Sequence, residues 1–322
     1  MVLMTLLLLV GFGALYFGAD WMVRGAARLQ GSLGLSPIVI GLTVVSLGTS
    51  APELMVAVLA TLRGNADIAV GNVLGSNLAN IGLILGLTAL IRPLLVAERV
   101  VKREVPIMIL LTLLLYPLII DGEVDRFDGM ILALLLGLYL TNVFYRGRKA
   151  PAPLLSEYAQ LTAVVSARKG RAVLIDFGFL VAGTMGLLLG GRAIVESAIY
   201  LSGGFGISEL GMGLTVVAVG TSLPELATSV VAAARKETDI AVGNVIGSNI
   251  FNIAGVLGVT SMIKPVAVDP GVLWVELPAV LALSLLCLFV TLSPRAKGEF
   301  RIRRWEGALL LGAYIGLGAW IL

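Results

Sequence analysis

Two glutamates, Glu53 and Glu225, sit inside apolar stretches, in the segments GTSAPE (48–53) and GTSLPE (220–225). A carboxylate at bilayer depth costs at least ~2.5 kcal/mol, so a membrane chain that keeps two needs something to compensate them. The natural compensator is a cation. Hard cations such as Na⁺ and Ca²⁺ take carboxylate, hydroxyl and carbonyl oxygens, and each of these short segments offers all three. Pro52 has no N–H and its ring clashes with the Gly48 carbonyl, so the helix opens there; Pro224 does the same to Gly220. Carbonyls freed in hydrocarbon need partners, and broken helices persist where they line a cavity or hold an ion. On the helical side Glu53 follows Thr49 by four residues and Ser50 by three, so their oxygens share a face. Thr221, Ser222 and Glu225 repeat the spacing. One such segment alone would be weak, because proline kinks with Ser/Thr back-bonding are ordinary in membrane helices.

Duplication makes it strong. Residues 36–93 recur at 208–265, offset by 172 without a gap, with 32 of 58 paired positions identical. The second shared segment is GNVLGSNLAN (71–80), repeated as GNVIGSNIFN (243–252). Asn72, Ser76 and Asn80 fall at i, i+4 and i+8 and form one polar stripe; Asn244, Ser248 and Asn252 repeat it. Gly71 with Gly75, and Gly243 with Gly247, have the spacing that lets membrane helices approach closely, so the stripe can press against the helix carrying the glutamate. For Asn72, Asn77, Asn244 and Asn249, interhelical packing bonds are the competing explanation. Asp67 and Asp239 begin their segments and suit first-turn capping better than ion entry. Thr43 and Thr215 either line an access path or serve helix packing.

The elements that position these groups follow from composition. The 322 residues are 58% hydrophobic and only 13% charged, against about 25% charged in soluble domains. Apolar runs long enough to span a bilayer recur near 2–24, 36–60, 67–90, 104–120, 127–145, 172–196, 208–233, 239–263, 272–292 and 305–322. The expected fold is therefore an all-α polytopic membrane protein with about ten transmembrane helices. The first run carries no Lys or Arg before Arg24 and is too long for a signal-peptide core, so it reads as a retained span. The single cysteine, Cys287, excludes an internal disulfide framework. With no histidine, imidazole metal sites, Ser-His and Cys-His catalysis and His proton relays are excluded. No HExxH or Asp-rich diphosphate motif is present, so an enzyme is not expected, and neither is a cofactor.

The sequence pI near 9.1 reflects loops rather than a nucleic-acid face. Arg24, Arg28, Arg99, Lys102, Arg103, the cluster from Arg146 to Arg171, Arg235 and the run Arg295–Arg304 all fall on one side if the spans alternate. That side is expected to be cytoplasmic in a cell membrane, with both termini outside. The charged, proline-bearing stretch 146–171 reads as a linker between a first half, 1–145, and a second, 172–322, of five spans each. An odd number of spans inserts the second half upside down. Inverted repeats with broken helices near the midplane are the pattern of secondary transporters. Fainter similarity aligns Asp20 with Arg192 and Arg24 with Glu196; these charges read as solvated or snorkelling span ends.

The paired GTSxPE and GSNxxN segments resemble the alpha repeats of the cation/calcium exchangers, most closely the prokaryotic sodium/calcium exchanger branch. The resemblance covers essentially the whole chain and implies alternating access, with Ca²⁺ and Na⁺ as partners. By matching position it implies Glu53 and Glu225 as central ligands shared by both ions. It further implies hydroxyls or carbonyls from Thr49, Ser50, Thr221 and Ser222, flanking Na⁺ ligands Ser76 and Ser248, the carbonyls of Ser46 and Ala218, and Asn80 and Asn252 at the middle. This branch often carries Asp where this chain has Asn252. The substitution leaves two fixed carboxylates and argues against K⁺ dependence. Two ionised glutamates neutralise one Ca²⁺ or two Na⁺, and empty they are two like charges in low dielectric that resist reorientation. A Ca²⁺/H⁺ antiporter of the same fold is the alternative, and a passive cation channel a more distant one.

Overall fold

A computed structural model describes residues 2–147, 169–203, 220–292 and 300–321. Each of the ten expected spans contains a helix. They are α1 (Val2–Leu33), the bent pair α2 (Pro37–Thr49) and α3 (Ala51–Leu62), α4 (Ala66–Ile91), α5 (Val105–Leu118) and α6 (Arg126–Gly147). After residue 168 come α7 (Lys169–Gly203), α8 (Leu223–Ala234), α9 (Thr238–Ile263), α10 (Glu276–Leu292) and α11 (Arg304–Ile321). Among the described residues, six helices are long and apolar enough to cross a bilayer alone, and the α2–α3 pair, bent by 42°, makes a seventh. Helix α8 begins at the break, and the expected 208–219 portion of its span lies outside the described residues.

Without a hydrophobic force between helices in lipid, close approach depends on small residues. Four described seams show this. A Cβ on Gly18 would lie 2.7 Å from the Leu187 backbone nitrogen, and one on Gly183 2.6 Å from that of Met22, so α1 and α7 touch backbone to backbone. Gly41 of α2 meets Gly243 of α9, each Cβ position about 3 Å from the other's Cα. The remaining two are reciprocal. Gly86 of α4 faces Gly307 of α11, while Gly258 of α9, its counterpart at the 172 offset, faces Gly129 of α6. Each half thus packs its final helix on the other half's Asn-rich helix.

Two short ribbons repeat the exchange. β1 (Leu94–Val96) pairs antiparallel with β4 (Phe300–Ile302), and β2 (Glu123–Val124) with β3 (Val266–Ala267). The sequence reading did not foresee these ribbons. It also ended the first span at 24, whereas α1 runs on to Leu33 past Arg24 and Arg28, which are read as span-end residues.

The helix break falls at Ser50, with φ −84° and ψ 6°, and at Ser222, with φ −85° and ψ 1°. Pro52 and Pro224 stand in the first turn of the second segment, where a missing N–H costs no helical bond. Four further described stretches, Gly41–Val45, Val100–Glu104, Ala79–Leu85 and Phe251–Leu257, widen to π-helical winding. Asn80 and Asn252 lie in the last two, so the polar stripe changes phase one turn after Ser76 and Ser248.

Candidate functional site: two glutamates and a buried ring of oxygens

Glu53 and Glu225 enter the first turns of α3 and α8, where helix N-termini favour negative charge. Both are fully buried, and their carboxylates lie near enough to repel each other. The Ser50 hydroxyl, from the first repeat, donates to Glu225 Oε1 at 3.2 Å. Ser76 lies beside Glu53, and Thr49, Ser50 and Ser248 lie beside Glu225. The two copies therefore build one site.

A reciprocal brace fixes the geometry. Asn72 Nδ2 donates to the Glu53 carbonyl at 3.0 Å, and its Oδ1 accepts from the Thr221 hydroxyl at 3.3 Å. Asn244 Nδ2 donates to the Glu225 carbonyl at 3.4 Å, and its Oδ1 accepts from the Thr49 hydroxyl at 3.0 Å. Adding 172 to one pair gives the other. Across the α4–α9 seam, Asn252 donates to Asn77 Oδ1 at 3.1 Å, and Asn77 donates to the Asn249 carbonyl at 3.4 Å. Asn72, Asn77, Asn244 and Asn249 were open to a packing reading. The structure gives the side chains of Asn72, Asn77 and Asn244 that interhelical bonding, at the glutamate backbones and the central seam, whereas the Asn249 amide donates to the Val245 carbonyl of its own helix and only its backbone carbonyl joins the seam. For Asn72 and Asn244 the signal was the stripe spacing from Ser76 and Ser248.

What the brace leaves over is a set of buried oxygens with no protein partner. Both Glu53 carboxylate oxygens, Glu225 Oε2, the hydroxyls of Ser76 and Ser222, Asn252 Oδ1 and the amide of Asn80 are in this state. A buried unpaired carboxylate carries a penalty of several kcal/mol. The donor set is all oxygen and mixes carboxylate, hydroxyl and amide, which fits hard cations. Among the described residues no three acidic, Cys or His side chains converge, so the negative charge rests on the two glutamates.

Of the residues implied by the resemblance, Thr49, Ser50, Glu53, Ser76, Asn80, Thr221, Ser222, Glu225, Ser248 and Asn252 are all buried in the centre. The Ser46 carbonyl behaves differently: it accepts the helical bond from the Ser50 N–H at 2.9 Å and lies 3.3 Å from the Thr49 hydroxyl, whose one proton it shares with Asn244 Oδ1. Ala218 and Thr215 lie outside the described residues. Thr43 is buried and donates to the Val39 carbonyl at 2.7 Å, a helix back-bond.

Comparison with known proteins joins these features. The family model described as "Sodium/calcium exchanger protein" matches residues 3–145 and 175–322. The chain is 42% identical over 322 residues to the putative antiporter CaxA of Alkalimonas amylolytica, covering 98% of each. It is 32% identical over 341 residues to the sodium/calcium exchanger MaX1 of Methanosarcina acetivorans, covering 96% of each. A solved structure of the sodium-calcium exchanger NCX_Mj, soaked with 2.5 mM Na⁺ and 0.1 mM Ca²⁺, superposes with a TM-score of 0.84 at 33% identity, over 99% of this chain and 98% of that one. With its apolar helices and buried oxygen-lined centre, the chain belongs to the sodium/calcium exchanger family: it is a multi-pass membrane transporter of cations including Ca²⁺, and not an enzyme.

Proposed function

We propose that the chain exchanges Na⁺ for Ca²⁺ by alternating access, with Glu53 and Glu225 as the ligands both ions share. The observation that carries this reading is the set of unpartnered buried oxygens around two mutually repelling carboxylates. Ser50, Ser222, Asn80 and Asn252 complete the centre, and Thr49 with Ser248 and Thr221 with Ser76 complete two flanking Na⁺ positions. The Ser46 carbonyl joins when the Thr49 hydroxyl turns away from it, and the Ala218 carbonyl takes the equivalent place. Two ionised carboxylates balance one Ca²⁺ or two Na⁺. Uncompensated, they oppose any rearrangement that carries them through a dry barrier, which couples the two ion movements.

In this reading residues 1–145 and 172–322 are the two oppositely inserted halves, joined by the 146–171 linker on the cytoplasmic side of the cell membrane, with both termini outside. Na⁺-gradient-driven ⁴⁵Ca²⁺ uptake into proteoliposomes tests the proposal, with Li⁺, K⁺ and proton gradients as controls. Uptake under the Na⁺ gradient at fixed pH is expected. Uptake driven by a proton gradient alone would assign the coupling to H⁺, and flux without any counter-ion would make the protein a channel.

A further inference from the structure

Asp20 is a buried carboxylate in α1 that the ion site does not use. Its side chain is 6% exposed and bonds Arg24, one turn on in the same helix, at 2.8 Å. It also forms an ion pair with Arg235, at the C-terminal end of α8. Helix α8 carries Glu225 ten residues earlier, roughly 15 Å away by helical rise. Asp20 therefore does not touch the ion.

Helices α1 and α7 form one unit. Their glycine seam brings backbone to backbone, and the Arg28 guanidinium lies over the Phe179 ring at 5.1 Å. Where this unit meets α8, a second contact is weak, the Thr228 hydroxyl to the Met22 sulfur at 3.9 Å. The Asp20–Arg235 pair is the strong tie between the two.

The 172 offset supplies a built-in comparison. Arg235 corresponds to Arg63, an identical residue, but Asp20 corresponds to Arg192. The equivalent contact in the other repeat would set Arg63 against Arg192. Its nearest anion, Glu196, sits one turn further along and is already bonded to Arg192 at 2.6 Å, with both side chains at least half exposed. Opposite charges meet at one end, and the equivalent contact at the other end would bring like charges together.

We propose that Asp20 and Arg235 form a one-sided latch that holds the α1–α7 unit against the Glu225 helix and closes the face on which Arg24 and Arg235 lie. The latch makes Asp20 a positioning residue that sets which face of the site is open. This inference rests on the alternating-access reading, in which closure at one face goes with opening at the other. An ion pair made in one state biases the equilibrium by its differential strength, and a like-charge contact in the other state adds to that bias.

The test uses the full chain in vesicles, in a Cys287→Ala background. Thr43 is buried on α2, midway between Pro37, where the chain enters from α1, and Thr49 of the site, so the Thr43→Cys variant reports opening there through its labelling rate with a membrane-impermeant maleimide. Asp20→Asn and Arg235→Gln are expected to raise that rate about threefold to tenfold. Arg63→Glu, at an exposed position, is expected to raise it too, by pairing with Arg192 when the opposite face closes. Thermal stability of each variant is measured alongside. Unchanged labelling in folded Asp20→Asn and Arg235→Gln overturns the latch. Should these two fail to fold, unchanged labelling in Arg63→Glu overturns it instead. Na⁺-driven ⁴⁵Ca²⁺ uptake by the wild type in the same vesicles judges the exchange reading separately, since labelling needs no transported ion.

Discussion

The α1–α7 pair and the α4–α9 pair are both membrane helices with glycine-rich faces, and they end in opposite places. In the apolar windows of α1 and α7 only 22% and 28% of residues are buried; for α4 and α9 the figures are 72% and 100%. Glycine explains the closeness of approach in the first pair but not which helices occupy the centre. That depends on the polar residues. Asn72, Ser76, Asn77 and Asn80 on α4, and their counterparts on α9, have no acceptable exposure to lipid, so these helices are driven inward until the amides find each other. Helices α1 and α7 carry Leu, Val and Phe outward and bury only isolated polar residues such as Asp20, Asp176 and Ser197, not a continuous stripe.

The sharpest way to break this contrast is to remove the central charges. Glu53→Gln or Glu225→Gln is expected to abolish Na⁺-driven Ca²⁺ uptake, by at least about 100-fold, because each removes half of the negative charge on the site. Thermal unfolding should stay near wild type, since these carboxylates are largely unpartnered in the protein. At the periphery the reverse holds. Gly183→Val places a side chain against the Met22 backbone, which cannot give way, and should cost about 1–3 kcal/mol in an unfolding assay.

The brace gives a finer test. Asn72→Ala and Asn244→Ala each remove the amide's bonds to a glutamate carbonyl and to a threonine hydroxyl, a loss of about 1–3 kcal/mol. Each should raise the Ca²⁺ KM roughly tenfold, and the two values should be similar if the halves act reciprocally. The smallest difference lies between the two middle amides. Asn252→Ala breaks the bond to Asn77 and should lower stability by about 1 kcal/mol. Asn80→Ala removes an amide with no protein partner and should slow flux while leaving the melting temperature unchanged.

Much of this was legible in the sequence because the constraints were local and duplicated. The repeat at 172, the buried glutamates and the ten apolar runs needed only spacing and composition. The break was placed near Gly48 from the proline clash, and it falls two residues later, at Ser50, because Pro52 is accommodated in the first turn of α3. The π-helical winding around Asn80 and Asn252 was invisible, since it follows from how α4 and α9 pack and not from propensity. So were the β-ribbons, where two or three residues of one half meet a strand well over a hundred positions away. Asn72 and Asn244 stood within the recognised stripe and Asn77 beside it, but spacing along one helix does not say which carbonyl on another helix an amide will reach. The Asp20–Arg235 contact was hidden for the same reason, behind a reading of Asp20 as a span-end charge and of Arg235 as a loop charge.

The ribbons carry one more consequence. β1 is completed by β4 and β3 by β2, while α11 leans on α4 and α6 on α9, so neither half is a self-sufficient body. Cutting the polypeptide between positions 147 and 169 would not free two modules; it would leave two interlocked fragments, each holding a strand and a helix that the other needs to be whole.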